Sequence, residues 1–432
     1  MPTKPEAKGA PHRAAHAETL VAMRDLEVHY ALRGGSLSRL FGRDVGTVKA
    51  VDGVDLDIAK GEVLGLVGES GSGKSTLGRA VLGLAPITAG SITYEDDQIQ
   101  ELSGRRLREI RRDLQMIFQD PSAALNPAMD IETAVGHPLK IHKLSRGAEL
   151  NKRVVDVLER VGLSPPEQFL KKYPSDLSGG QKQRAVIARS LILDPVLLIA
   201  DEPISMLDMS IRSKILQLML ALKAEFDLTY IYITHDLASA KFFCDRVAIM
   251  YLGRVVEIGN TEEIFADPKH PYTKSLVAAI PDMDPDRDAA RDLPRGEIPD
   301  AASPPLGCSF HPRCPQAFDR CGWESRDLRT LLESHWTKVP ESDYDKERAI
   351  IGEINELDEP SYKSVLPAGP GHTGADVQRV LDVIKSDDPA EPFWTGVHER
   401  RVTDSGVEVD FQEGEDPKLR PSGGVEVACH LY

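Results

Sequence analysis

Apolar and polar positions alternate over residues 21–30, VAMRDLEVHY, at the period of a half-buried strand. A Gly-rich loop follows, LRGGSLSRLFGRDVG, and VKAVDGVDLDIAKGEVLGLVG then reads as strands broken by turns. Helix-forming segments dominate from about 102 to 170. Two uninterrupted apolar runs, PVLLIAD and LTYIYITHD, have the pattern of parallel strands covered on both faces. RVAIMYLGRVVEIGN reads as a hairpin turning at Leu252–Gly253. After about residue 281 the pattern dissolves into PDMDPDRDAARDLPRGEIPDAASPP, which reads as a linker. Farther on, TGADVQRVLDVIKS reads as one helix in a stretch otherwise acidic and rich in Gly and Pro. No segment repeats.

Composition narrows the class. A chain of 432 residues, 41% hydrophobic and 28% charged, is long enough for two or three soluble domains. No apolar run approaches the roughly 20 residues of a membrane helix. The opening MPTKPEAKGAPHRAAHAETL, residues 1–20, lacks an apolar core and reads as a disordered leader, which places the chain in the cytoplasm. Net charge is -16, of which residues 331–432 carry -12, from 22 Asp and Glu against 10 Lys and Arg. Such a surface repels a phosphate backbone, so no nucleic-acid partner is expected. The acidic tail reads as a solvated face or linker.

GLVGESGSGKST fits G-x-x-x-x-G-K-[ST] at Gly68, Gly73, Lys74 and Ser75, after a strand and before a helix. Glycines let successive backbone N–H groups turn toward one anion, and the helix start adds its positive dipole end. Ser70, Gly71 and Thr76 belong to the same cradle; Lys74 reaches phosphates and Ser75 can ligate Mg²⁺. LLIADEP carries a strand to Asp201, placed for Mg²⁺, and to Glu202, placed to activate water. YIYITHD ends on His235, which could sense a terminal phosphate, and Gln119 in MIFQDP could reach metal or water from a mobile loop. LSGGQKQR opens a second anion-binding helix start at Ser178, Gly179, Gly180 and Gln181. A second such turn is redundant in one subunit and useful if it closes over the nucleotide of another.

In this order GESGSGKST, FQDP, LSGGQ, LLIADEP, SMLD and THD resemble the ABC transporter ATPase family over about residues 21–260. The resemblance implies an α/β P-loop NTPase fold, a mixed sheet with a helical subdomain, and a head-to-tail pair of ATPase domains with ATP between them. It implies that Lys74, Ser75 and Asp201 hold phosphates and Mg²⁺. Glu202 is then the catalytic base, His235 the phosphate switch, and Gln119 a metal ligand and the link to a membrane subunit. Ser178 to Gln181 serve the partner's nucleotide, and Asp208, kept as in the family, counts among the nucleotide-binding residues. Tyr30 lies where the family stacks an aromatic on adenine. Met206 departs from the family's small residue, which implies altered packing at the dimer interface.

Three of five cysteines, Cys308, Cys314 and Cys321, fall within GCSFHPRCPQAFDRCG. In a reducing compartment clustered thiols suggest metal ligands before disulfides. HPYTKSLVAAIP, RGEIPD and GCSFHPRCPQAFDRC resemble the C-terminal extension of the oligopeptide/dipeptide-importer branch, as does FQDPSAALNP. That branch implies a [4Fe-4S] cluster with Cys429 as fourth ligand; the thiols alone suit zinc equally, or no ligand. Cys244 reads as a buried small hydrophobe.

The expected organisation is therefore a leader (1–20), an ATPase domain (21–265, helical subdomain about 102–190) and a small C-terminal extension (266–335). An acidic insertion (336–420) and a final segment (421–432) follow. The expected partners are a second ATPase subunit, a paralogue, with two transmembrane permease subunits and an extracytoplasmic solute-binding protein. The expected place is the cytoplasmic face of the membrane, and the expected work is ATP-driven import of peptides or related solutes. A soluble iron–sulfur ABC ATPase uncoupled from transport is the competing class, and redox sensing at the thiols a third reading.

Overall fold

A computed structural model describes residues 18–32, 46–280 and 294–432. Most of the leader, most of the first Gly-rich loop and the first half of the linker lie outside the described residues. The strands are β1 (Thr19–Ala31), β2 (Thr47–Ala59), β3 (Val63–Val67), β4 (Ala89–Tyr94), β5 (Asp97–Gln98), β6 (Leu114–Ile117), β7 (Leu197–Asp201) and β8 (Thr229–Thr234). They continue with β9 (Arg246–Tyr251), β10 (Arg254–Asn260), β11 (Lys363–Pro367), β12 (Val397–Thr403), β13 (Gly406–Phe411), β14 (Arg420–Ser422) and β15 (Val425–Val427). The principal helices begin with α1 (Lys74–Val81), α2 (Gly104–Asp113), α3 (Ile131–Ile141), α4 (Gly147–Arg160), α5 (Gly179–Leu191) and α6 (Met209–Phe226). After them come α7 (Leu237–Phe243), α8 (Pro271–Ala278), α9 (Ser325–Trp336), α10 (Glu341–Ile350) and α11 (Gly374–Asp387).

The described residues fall into two compact units, and neither is one consecutive stretch: residues 18–26, 55–64 and 78–232 form the first, and 27–32, 46–54, 65–77, 233–280 and 294–432 the second. In the first unit β7 lies between β6 and the first part of β8. β6 and β7 run parallel from Leu114↔Leu197 to Ile117↔Ala200. Every residue of β7 is buried, which is why its sequence shows no alternation. The helical segment packs on itself. α4 buries Leu150, Val154, Val157 and Leu158, spaced as one helix face. They meet α3 at Gly136, where a Cβ would stand 2.9 Å from Leu150 Cδ2 and 3.1 Å from Val154 Cγ2, so a side chain there would force α4's apolar face to shift.

In the second unit β9 and β10 form the expected hairpin, with Leu252 (φ 43°) and Gly253 (φ 81°) both in the left-handed region. Two consecutive positive φ values give the turn whose twist suits a two-residue hairpin. The outer edge of β10 is covered by the end of the chain: β15 pairs antiparallel with it at Glu257↔Val427, Ile258↔Glu426 and Gly259↔Val425. A Cβ on Gly259 would lie 2.6 Å from Val425 Cγ1, so glycine is what admits this strand. Arg254 ties the same region together, bonding Asp52 at 2.7 Å and also pairing with Asp416.

The acidic tail is not a linker. β11, β13 and β12 form an antiparallel sheet, and the expected helix is α11. α11 lays Val377, Val380, Leu381 and Ile384 on that sheet, and its capping box joins Thr373 and Asp376. Glu341 and Asp345 of α10, Asp382 and Asp387 of α11 and Glu399 of β12 are exposed on ordered elements, so their charge records exposure and not disorder.

Candidate nucleotide site and cysteine cavity

In the second unit the phosphate-loop residues follow β3. Gly68 and Gly73 are glycine for lack of space: a Cβ would stand 2.2 Å from the Met250 carbonyl oxygen in the first case and 2.0 Å from that of Ala50 in the second. Gly71 (φ 81°) faces open space, and with Ser70 it forms the exposed tip. Lys74 is buried, its Nζ donating to the Gly68 and Glu69 carbonyls at 2.8 and 2.7 Å and to Ser72 Oγ at 3.1 Å. One ammonium therefore sits at the centre of the turn, where an anion held by the backbone N–H groups would meet it. Ser75 and Thr76 continue into α1, both half-buried. His235 lies exposed after β8, next to Asp236, whose carboxylate caps α7. Tyr30, at the end of β1, is 39% exposed, which leaves its ring free for a stacking partner.

The first unit holds the other motifs. β7 delivers Asp201 buried and Glu202 half-buried, and Glu202 takes φ 45°, uncommon for a side chain with a Cβ. Gln119 Nε2 donates to Glu202 Oε2 at 3.1 Å, joining two residues that sequence order separates. Ser178 caps α5. Its Oγ accepts from Gln181 N at 3.3 Å, and Gln181 Oε1 accepts from Ser178 N at 3.0 Å. Gly180 has no room for a side chain, since a Cβ would stand 2.9 Å from Ile211, and Gly179 is exposed. Asp208 caps α6, accepting from Ile211 N at 3.1 Å and Ser210 Oγ at 2.7 Å, and these bonds hold its carboxyl below the usual range. Met206 and Met209 stand 64% and 81% exposed beside it. A cleft of about 190 Å³ lined by Leu82, Leu84, Phe118 and Pro138 opens next to Gln119 in the chain.

The cysteines meet in the second unit. Gly307 (φ 69°) and Gly322 (φ 97°) close the neck of their loop, where Cys308 N donates to Cys321 O at 2.9 Å. Pairing of β15 with β10 continues in an Ala428 N to Val256 O bond of 2.9 Å, which delivers Cys429. Cys308, Cys314, Cys321 and Cys429 then line one enclosed cavity of about 10 Å³, room for one water at most. All four are free thiols. Burial pushes the Cys314 thiol up to about 12 and that of Cys321 to about 11, and raises Cys308 and Cys429 as well. Among the described residues no three His, Cys, Asp or Glu side chains stand close enough to hold one metal ion. The geometry therefore favours neither the expected cluster nor the zinc alternative. Cys244 is a buried apolar filler, as expected: a Cβ on Gly65 would meet its Sγ at 2.8 Å.

Residues 51–205 match the profile of the ABC transporter family, and residues 256–321 that of the oligopeptide/dipeptide transporter C-terminal region. The oligopeptide transport ATP-binding protein AppF of Bacillus subtilis is 43% identical over 326 residues, spanning 75% of this chain and 97% of that protein. OppF of Salmonella typhimurium, an oligopeptide transport ATP-binding protein, is 44% identical over 320 residues, 73% of this chain and 93% of its own. A putative peptide import ATP-binding protein of Brucella ovis is 44% identical over 317 residues, 73% and 96% respectively. The chain belongs to the ABC transporter ATPase family, in its oligopeptide/dipeptide branch. About a quarter of this ABC ATPase has no counterpart in the first of these relatives. The branch profile ends at Cys321, so Cys429 lies beyond it.

Sequence reading missed Glu69, Tyr272 and Arg313. Glu69 N donates to Tyr272 Oη at 2.9 Å, and Arg313 forks onto the Glu69 carboxylate at 2.7 and 3.2 Å. The one available signal was their position: Glu69 inside the Gly-rich turn, Arg313 between two cysteines.

The raised thiol values set a pH dependence for protein stripped of any metal. Below about pH 9 the thiols are protonated folded and unfolded alike, and their burial costs no proton. Above it the unfolded chain ionises first, so stability falls as pH rises toward the folded values. The urea midpoint of chelator-treated, reduced protein should drop between pH 8 and 10.5, and drop less in Cys314→Ser. Equal slopes for both would contradict the assignment.

Proposed function

We propose that this chain is the ATP-hydrolysing subunit of a peptide importer, peripheral to the cytoplasmic face of the membrane. It works with a second ATPase subunit, a paralogue, two membrane-spanning permease subunits and an extracytoplasmic solute-binding protein. The observation that carries the reading is that the chain's named relatives, oligopeptide transport ATP-binding proteins, align over almost their whole length, and the motif residues Lys74, Ser75, Asp201, Glu202 and His235 support it. Among the described residues no helix is long and apolar enough to cross a membrane, which fits a subunit that leaves the spanning to others. On this reading residues 21–265 act as the ATPase domain and 266–335 as the branch's extension.

The residues divide the work. Gly68 to Thr76 offer backbone N–H groups to phosphate oxygens, and Lys74 neutralises them. Ser75, Asp201 and Gln119 would hold Mg²⁺, which supplies charge neutralisation on the phosphates. Glu202 accepts a proton from the attacking water, and His235 senses the terminal phosphate. Tyr30 offers its exposed ring to adenine. Ser178, Gly179, Gly180 and Gln181 present α5's start to the other subunit's nucleotide, with Asp208 supporting that face. The Gln119–Glu202 hydrogen bond links this chemistry to the cleft beside Phe118, which suits a short apolar helix of a permease subunit. Movement of that helix would alter the aim of the Glu202 carboxylate. Cys308, Cys314, Cys321 and Cys429 would hold a [4Fe-4S] cluster as a structural clip. Support comes from their meeting at one cavity from distant parts of the chain.

In the assembled transporter, Glu202→Gln should bind MgATP as the parent does and hydrolyse it about 100-fold more slowly or worse. Undiminished turnover would refute the role of Glu202. Iron and acid-labile sulfide should co-purify with the parent chain and be lost in Cys429→Ser; their absence from the parent would remove the cluster.

A further inference from the structure

A carboxylate inside an anion-binding loop is an electrostatic liability. Glu69 lies between Gly68 and Ser70, and its own carbonyl accepts from Lys74 Nζ at 2.7 Å. An unpaired negative charge there would repel the phosphates of a nucleotide. The structure answers it with one residue. Arg313 reaches Glu69 across 244 positions of sequence and engages both carboxylate oxygens, Nη1 to Oε2 at 2.7 Å and Nη2 to Oε1 at 3.2 Å. Two parallel bonds of this kind fix direction as well as charge.

The guanidinium is itself held. Its carbon lies 5.8 Å from the Tyr251 ring centre and 5.9 Å from that of Phe310. Those rings pack edge-on 5.2 Å apart, and Tyr272, which receives the Glu69 N–H, packs edge-on to Tyr251 at 4.9 Å. The Arg313 backbone belongs to the cysteine loop: its N–H donates to Phe310 O at 3.0 Å, and the next residue is Cys314. The Arg313 side chain is 9% exposed and that of Glu69 30%, so solvent screens the pair only in part.

We propose that Arg313 is a positioning residue for the phosphate loop, cancelling the charge of Glu69 and holding the turn open for MgATP. The cysteine loop thereby sets the nucleotide affinity of the ATPase. The inference rests on the nucleotide reading of the phosphate loop given above. It separates an electrostatic role from a merely structural clamp, because the former is relieved by removing the opposing charge.

The test is a double-substitution series on the full chain, with MgATP affinity read by calorimetry and thermal stability read in parallel. Arg313→Met should weaken MgATP about tenfold or more, with a defect that shrinks as salt is raised. Adding Glu69→Gln to Arg313→Met should restore most of the affinity. Arg313→Lys, which keeps the charge and loses the fork, should fall between and serves if the methionine variant does not fold. Unchanged affinity in Arg313→Met, or in Arg313→Lys where that variant stands in for it, overturns the inference. So does failure of Glu69→Gln to rescue it. Failure of the parent chain to bind MgATP would instead remove the nucleotide reading itself, and this inference with it.

Discussion

The close approach of backbone to backbone around Gly68 and Gly73 is the constraint on which the rest depends. Carbonyl oxygens of Met250 and Ala50 occupy the places where side chains would go. The turn between β3 and α1 can follow its path only without them. That path brings Lys74 inward onto the loop's own carbonyls and leaves Gly71 facing open space. A buried ammonium is tolerable because three oxygens receive it. The loop also has external support in Tyr272 and Arg313, so its shape depends on residues far along the chain.

That dependence gives the C-terminal part a physical reason to exist. β15 covers the edge of β10, which would otherwise present unpaired backbone groups. The same pairing carries Cys429 to the cavity of Cys308, Cys314 and Cys321. The loop those cysteines shape carries Arg313. Between Cys321 and Cys429 the chain folds α11 and a three-stranded sheet of its own, so the return of the last strand is made by ordered structure.

Local chemistry was legible in the sequence wherever one short segment suffices. The burial of β7 and β8 follows from uninterrupted apolar runs, and the hairpin at Leu252–Gly253 from a glycine between strand patterns. The cap at Ser178 follows from Ser-Gly-Gly-Gln, whose first and last residues bond each other. The sheet β11-β13-β12 was hidden because charge dominates its composition. β12 buries none of its residues, so no alternation marks it. The Arg313–Glu69 pair has no local signature at all, since nothing in either neighbourhood names the other. The two compact units were also illegible, because β1, β2 and β3 each pass from one to the other.

The central claim is that Lys74, held within the phosphate loop, meets the phosphates of MgATP. Calorimetric titration of MgATP into the full chain and into Lys74→Ala tests it most directly. Saturable binding in the parent with at least about a tenfold loss in the variant is expected, since one charge-assisted contact to phosphate is removed. Equal affinity in the two proteins would contradict the account.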